Sequence, residues 1–137
     1  MDKNDCMLQL HELFFSKYNF AQTREDEDKN YKTSFRIDYA VSKQDSSKFR
    51  IKINTSIKNE TESVILNLET IGIFSVDKEI DENNVSEHVI KVNTVAIMLP
   101  FIRSQISLLT TQPGMEPILL PPINVNALKA SEDVVED

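Results

Sequence analysis

Two glycines, Gly72 and Gly114, in 137 residues leave nothing from which to build a glycine-rich phosphate loop. Neither G-x-G-x-x-G nor G-x-x-x-x-G-K can be assembled from them, so nucleotide-binding folds of those types are excluded. A single cysteine, Cys6, rules out an intrachain disulfide and suits a reducing cytoplasm. The first residues are polar (Asp2, Lys3, Asn4, Asp5), without the apolar stretch of a signal peptide. No uninterrupted apolar run reaches the roughly 20 residues of a membrane span, and membrane insertion is not expected. The three Asn-x-Ser/Thr sequons, at Asn54, Asn59 and Asn84, carry no meaning without secretion. Basic charge is also short. The net charge is -7, and a compact acidic domain repels phosphate backbones, which speaks against a nucleic-acid partner.

Catalytic chemistry finds no foothold. The two histidines, His11 and His88, lie far apart and read as surface residues, and with Cys6 they make no metal set by spacing. Asp77, Glu79, Asp81 and Asn83 have the spacing of a calcium loop. However, its sixth position would be Glu82 in place of glycine and its twelfth His88 in place of glutamate, so the stretch reads as a solvated loop. No carboxylate stands in an apolar context that would tune it as an acid, and no G-x-S-x-G elbow occurs. The expectation is a protein that is not an enzyme and takes no cofactor or metal.

What is present is apolar surplus. Hydrophobic residues make up 40% and charged residues 27%, ordinary values for one globular domain spanning 1–137. The polar start (1–6) and the acidic tail (130–137) are expected to be flexible. From Met7 to Phe20 apolar residues fall on both faces of a strand: Leu8, Leu10, Phe14, Tyr18 and Phe20 on one, Leu13 and Phe15 on the other. A strand of that kind needs cover on both sides, an indication of a subunit interface. The charged run from Gln22 to Asn30 reads as an exposed crossing loop. Alternation through Phe35, Ile37, Tyr39 and Val41, then Phe49 to Ile57, then Val64, Leu66 and Leu68 marks half-buried antiparallel strands. The phase shifts at Ile71-Gly72-Ile73, which predicts a β-bulge.

The second half reads as helix. Asn84 with Glu87 forms a capping box, and Val85, Val89, Val92, Ala96 and Leu99 recur at helical spacing. From Val95 to Ile102 the helix is apolar nearly all round and must be covered on more than one side. Pro100 predicts a kink or break. A loop over Thr110 to Pro122, carrying four of the five prolines, and at most a short second helix over Asn126 to Val135 complete the chain.

Three motifs in order resemble the SecB family of protein-export chaperones: Gly72-Ile73-Phe74-Ser75, Leu99-Pro100-Phe101-Ile102-Arg103, and Pro121-Pro122-Ile123-Asn124-Val125-Asn126-Ala127-Leu128. The resemblance spans roughly residues 7 to 128. It implies an α+β fold, a four-stranded antiparallel sheet with a long kinked helix on one face; the family's second helix is here short or absent after Leu128. It also implies a homotetramer, a dimer of dimers, whose clients are unfolded or partly folded polypeptides held in apolar grooves without ATP. On this reading Tyr31, placed in the crossing loop, with Val64, Leu66, Leu68, Thr70, Leu119 and Ile123 line a client groove or an interface. Leu13, Phe15, Val95, Leu99, Ile102 and Ile106 would form the oligomer interface. The family's acidic docking surface for the SecA motor is not matched: Lys17, Ala21 and Asn67 stand in the corresponding positions, and SecA binding is in doubt. Two alternatives stay open: a chaperone dedicated to one client such as an antitoxin, and a structural or interaction module on the same fold. A small-ligand binder is a weaker third.

Overall fold

The computed structural model describes residues 8–23, 28–77, 86–123 and 125. The polar start, the capping box at Asn84, the calcium-like stretch beyond Asp77, and the expected second helix and acidic tail lie outside the described residues.

Four strands form one antiparallel sheet: β1 (Leu8–Gln22), β2 (Tyr31–Val41), β3 (Lys48–Asn59) and β4 (Val64–Val76). Their order is β1-β4-β3-β2, so the segment after β1 crosses the sheet to reach its far edge. One long helix, α1 (Ser86–Leu109), follows. Alternation is strict in the two central strands. Phe49, Ile51, Ile53 and Ile57 of β3 and Val64, Leu66, Leu68, Phe74 and Val76 of β4 are buried under the helix. The opposite face of the sheet is mostly polar.

Strand β1 departs from the expected two-faced pattern. Its register against β4 slips twice, between Leu10 and Glu12 and between Phe15 and Lys17, making His11 and Ser16 the extra residues. A bulge of one residue reverses the inward and outward sense of all that follows. The two slips therefore bring Leu8, Leu10, Leu13, Phe15, Tyr18 and Phe20 onto the helix side, opposite Val76, Phe74, Gly72, Thr70, Leu68 and Leu66. Phe14 is left on the other face, 40% exposed. Both bulged side chains are tied to β4: His11 Nε2 lies 2.7 Å from Ser75 Oγ, and Ser16 Oγ donates to Glu69 Oε1 at 2.5 Å.

The predicted bulge at Gly72 is absent, because β4 keeps its alternation throughout. Gly72 faces the core, where a Cβ would meet the Phe74 ring at 2.7 Å and Met98 Sδ at 3.0 Å. The glycine is there for the close approach of α1. The apparent phase shift arises because Ile71 and Ile73 are apolar residues on the outer face.

Helix α1 continues through Pro100 without the predicted break. Pro100 and Ala96, whose carbonyl loses its donor, are both exposed, so water takes the freed acceptor. The buried stripe is Ile90, Thr94, Val95, Met98, Leu99, Ile102 and Ile106, rotated from the one expected around Ala96. The stretch Ile90–Leu109 also has the length and composition of a membrane span, contrary to the count of uninterrupted apolar residues. Its interruptions are mainly small polar residues, with Lys91 and Arg103 the two charges among them, and its buried stripe is seated on the sheet.

Candidate functional site

After α1 the chain turns back over the sheet, and side chains fix how it returns. Gln112-Pro113-Gly114-Met115 forms a β-turn in which Met115 N–H donates to the Gln112 carbonyl at 3.0 Å. Gly114 has φ 77°, and proline followed by a left-handed glycine is the signature of a type II turn. Thr110, fully buried, donates its hydroxyl to the Ile106 carbonyl and accepts from the Ile118 amide, both at 2.8 Å. That one hydroxyl fastens the returning segment to the end of the helix. Ile118 and Leu120 point inward at 6% and 7% exposure, and Leu119 between them points out at 74%. The apolar run thus splits by alternation into two anchors and one projecting side chain.

The returning segment and the sheet enclose an open cavity of about 450 Å³. The end of the crossing loop (Asp28, Lys29), the first residue of β2 (Tyr31), the last of β1 (Gln22), the β3–β4 turn (Ser63), the first residue of β4 (Val64) and residues 114–117 line it. Tyr31 therefore belongs to β2 and not to the crossing loop, and it lines this cavity. Burial pushes its phenol above the ordinary value. The turn beneath is built around Asn59, 2% exposed. Its amide donates to Ser63 Oγ at 2.8 Å and to the Asp28 carbonyl at 3.0 Å, and its Oδ1 accepts from the Val64 amide at 3.1 Å. Asp28 accepts from the Thr61 amide in return. Asn59 and Asp28 thereby hold the crossing loop against the turn. Sequence reasoning missed both, since an asparagine beside a turn carries no sign of what it will bind. Lys29 Nζ and Glu116 Oε1, 3.3 Å apart, link the loop to the returning segment, an exposed pair of small energetic worth.

The structure brings only part of the expected groove together. Tyr31 and Val64 line the cavity. Leu119 projects two residues beyond Pro117, and Ile123 is half-buried against the core. Leu66, Leu68 and Thr70 are at most 1% exposed and offer no surface to a client. The Thr55 and Thr70 hydroxyls are also buried there, with no hydrogen-bond partner among the described residues. The residues assigned to an oligomer interface are likewise covered by their own chain. Val95, Leu99, Ile102 and Ile106 are at most 5% exposed, and Leu13 and Phe15 pack against the same core through the bulges of β1. What α1 leaves outward is different: Ala96, Pro100, Phe101 and Leu108, with Phe101 46% and Leu108 68% exposed.

The outer face of the sheet has its own character. Reading across β1, β4, β3 and β2, the register sets Glu12, Ile73, Arg50 and Ala40 in one row. The next rows are Phe14, Ile71, Lys52 and Asp38, then Lys17, Glu69, Asn54 and Arg36. Lys48 lies above, and Lys58 and Lys32 pair below. Ala21 and Asn67 lie on the same face.

Residues 8–133 match the SecB family, described as preprotein translocase subunit SecB. An uncharacterized protein of Methanocaldococcus jannaschii, MJ0357, is 30% identical over 118 residues, covering 82% of this chain and 75% of that protein. The protein-export protein SecB of Anaplasma marginale is 25% identical over 87 residues, 61% of this chain and 49% of that protein, so the match takes in about half of the SecB sequence. Among solved structures, a SecB-like chaperone of Mycobacterium tuberculosis, in complex with a peptide from the HigA1 antitoxin, has a TM-score of 0.67 at 16% identity, covering 85% of this chain and 88% of that one. A Streptococcus agalactiae protein of unknown function has a TM-score of 0.53 at 11% identity, over 85% and 98% of the two chains. At such identities the two structures speak for the fold, which is the sheet and long helix described above. With a family match over nearly its whole length, the chain belongs to the SecB family.

Proposed function

We propose that the chain is a cytoplasmic, ATP-independent chaperone that holds non-native polypeptide against the cavity between the returning segment and the sheet. One observation carries the reading. The structure holds Leu119 outward between two buried neighbours, immediately beyond an open cavity bordered by Tyr31, Val64 and Met115. A leucine fixed in solvent has no role in its own core, and it adds apolar surface to which an extended client can dock, at about 25 cal/mol per Å² buried. Capture of this kind needs no nucleotide, because burial alone supplies the driving force. Several short contacts along one chain would then add through avidity. The test is aggregation of a chemically denatured enzyme on dilution. The protein is expected to suppress light scattering, and Leu119→Asp to lose most of that protection with an unchanged far-UV spectrum. Full protection by the variant would remove Leu119 from the site; no protection by the parent protein would favour a non-chaperone module on this fold.

A second reading narrows the client to one partner. It is supported by the fold relative from Mycobacterium tuberculosis, which was solved with an antitoxin peptide. A dedicated chaperone would protect its own client and fail on unrelated denatured enzymes. Export through SecA is not part of either reading. Lys17, Ala21 and Asn67 occupy the outer face where an acidic docking surface would be needed, and docking by charge depends on sign. Calorimetry with purified SecA is expected to show no micromolar binding; a salt-sensitive micromolar complex would restore the motor as a partner.

A further inference from the structure

The outer face of the sheet concentrates positive charge on a chain whose net charge is -7. Seven lysines and arginines share it with three carboxylates, those of Glu12, Asp38 and Glu69. Of the three, Glu69 is engaged by Lys52 at 3.8 Å. Among the described residues, Lys17, Arg36, Lys48 and Arg50 are exposed and make no ion pair. Lys32 stands directly opposite Lys58 across β2 and β3, and Lys58 is already paired with Glu62 at 3.7 Å. At the centre of this charge is an apolar island of Phe14, Ile71 and Ile73, with Phe14 40% exposed because the bulges of β1 put it there.

From this juxtaposition we infer that the outer sheet face is a second binding surface, on the other side of the sheet from the cavity, for an acidic polypeptide segment that carries apolar side chains. The charge selects an anion, and the island selects the class of anion. A phosphodiester backbone has nothing to place on Phe14 and Ile71. A peptide with carboxylates flanking a leucine or phenylalanine satisfies both. Four strands span about 15 Å, so an extended segment of roughly five residues crosses the face. Charge complementarity of this kind acts mostly on encounter rate and selectivity, which makes the binding strongly salt-dependent.

The test is fluorescence anisotropy of the full chain with a fluorescein-labelled peptide of repeated Glu-Glu-Leu units, alongside a Lys-Lys-Leu peptide. The acidic peptide is expected to bind at low salt and the basic one not. Arg50→Glu combined with Lys48→Glu should weaken binding about tenfold, Phe14→Ser should weaken it about threefold, and high salt should abolish it. Arg36→Glu, on another strand, is the second charge reversal should the first pair fail to fold. Leu119→Asp should leave this affinity unchanged, and the charge reversals should leave protection of a denatured enzyme unchanged, so failure here is distinguishable from failure of the cavity as a client site. Absence of binding, equal affinity in the charge-reversed variants, loss of binding in Leu119→Asp, or a preference for a single-stranded oligonucleotide or phosphatidylserine vesicles would each overturn the proposal.

Discussion

Gly72 shows what a single position settles. With Phe74 fully buried and Met98 fully buried above it, neither neighbour has room to retreat from a new Cβ. Gly72→Ala is expected to lower stability by about 1–3 kcal/mol, read as a drop in the urea midpoint without a change in slope. Gly72→Ala with Met98→Ala should lose less than the sum of the two single losses, since the two changes share one space. A Gly72→Ala protein as stable as the parent would show that the helix does not press on the sheet there. The sequence singled out Gly72 but assigned it to a bulge, because a glycine between two isoleucines looks the same whether it bends a strand or admits a helix. Leu66 was legible as an inward residue of its strand but not as one sealed inside its own chain. An aspartate there would place an unpaired charge in the core and act on folding before it acted on any client.

At the scale of elements, what was legible were the patterns that need only local information. The alternation of β2, β3 and the first part of β4, the turns between them, and the existence of a long helix all follow from periods that can be counted. Strand β1 failed because its two phase changes depend on Ser75 and Glu69, more than fifty residues away, which hold the bulged His11 and Ser16. The helix stripe was misplaced for a related reason. Nearly every turn from Val95 to Ile102 offers an apolar side chain, so the pattern does not say which side meets the sheet. Pro100 was read as a kink or break, and the helix runs on through it because its freed carbonyl reaches water. At the site, Tyr31, Val64 and Leu119 were reached through the resemblance to the SecB family and not from any period that can be counted. Thr110, Asn59 and Asp28, which hold the returning segment and the crossing loop in place, gave no sign of it. The β2–β3 turn has a titratable part. Ser47 donates its hydroxyl and its amide to Asp45, and these bonds hold the Asp45 carboxyl below the ordinary carboxylate range.

For the whole molecule, the surplus apolar surface remains after the chain has folded, in a different place from that expected. The outward side of α1 keeps Phe101 and Leu108 exposed, and β1, 15 residues long, pairs with β4 on one side and with no strand on the other among the described residues. Edges and stripes of that kind are covered in stable proteins, and a second copy of the chain would cover both. Assembly as a homotetramer is therefore proposed, with light scattering at micromolar concentration as its measure. Phe101→Asp with Leu108→Asp should reduce the mass and leave the far-UV spectrum intact, because both side chains already face water. A parent protein that is monomeric at these concentrations would end this reading.

The separation of charge between the outer face of the sheet and the rest of the chain has a practical consequence at the bench. A protein with a net charge of -7 is ordinarily expected to pass through a cation-exchange column at neutral pH. An ion-exchange resin, however, responds to the side turned toward it and not to the sum. This chain is expected to be retained by both anion and cation exchangers at pH 7 in dilute buffer, and to leave the cation exchanger at modest salt as screening shortens the reach of each charge to about 10 Å. Reversing Lys48 and Arg50 should abolish retention on the cation exchanger and strengthen it on the anion exchanger.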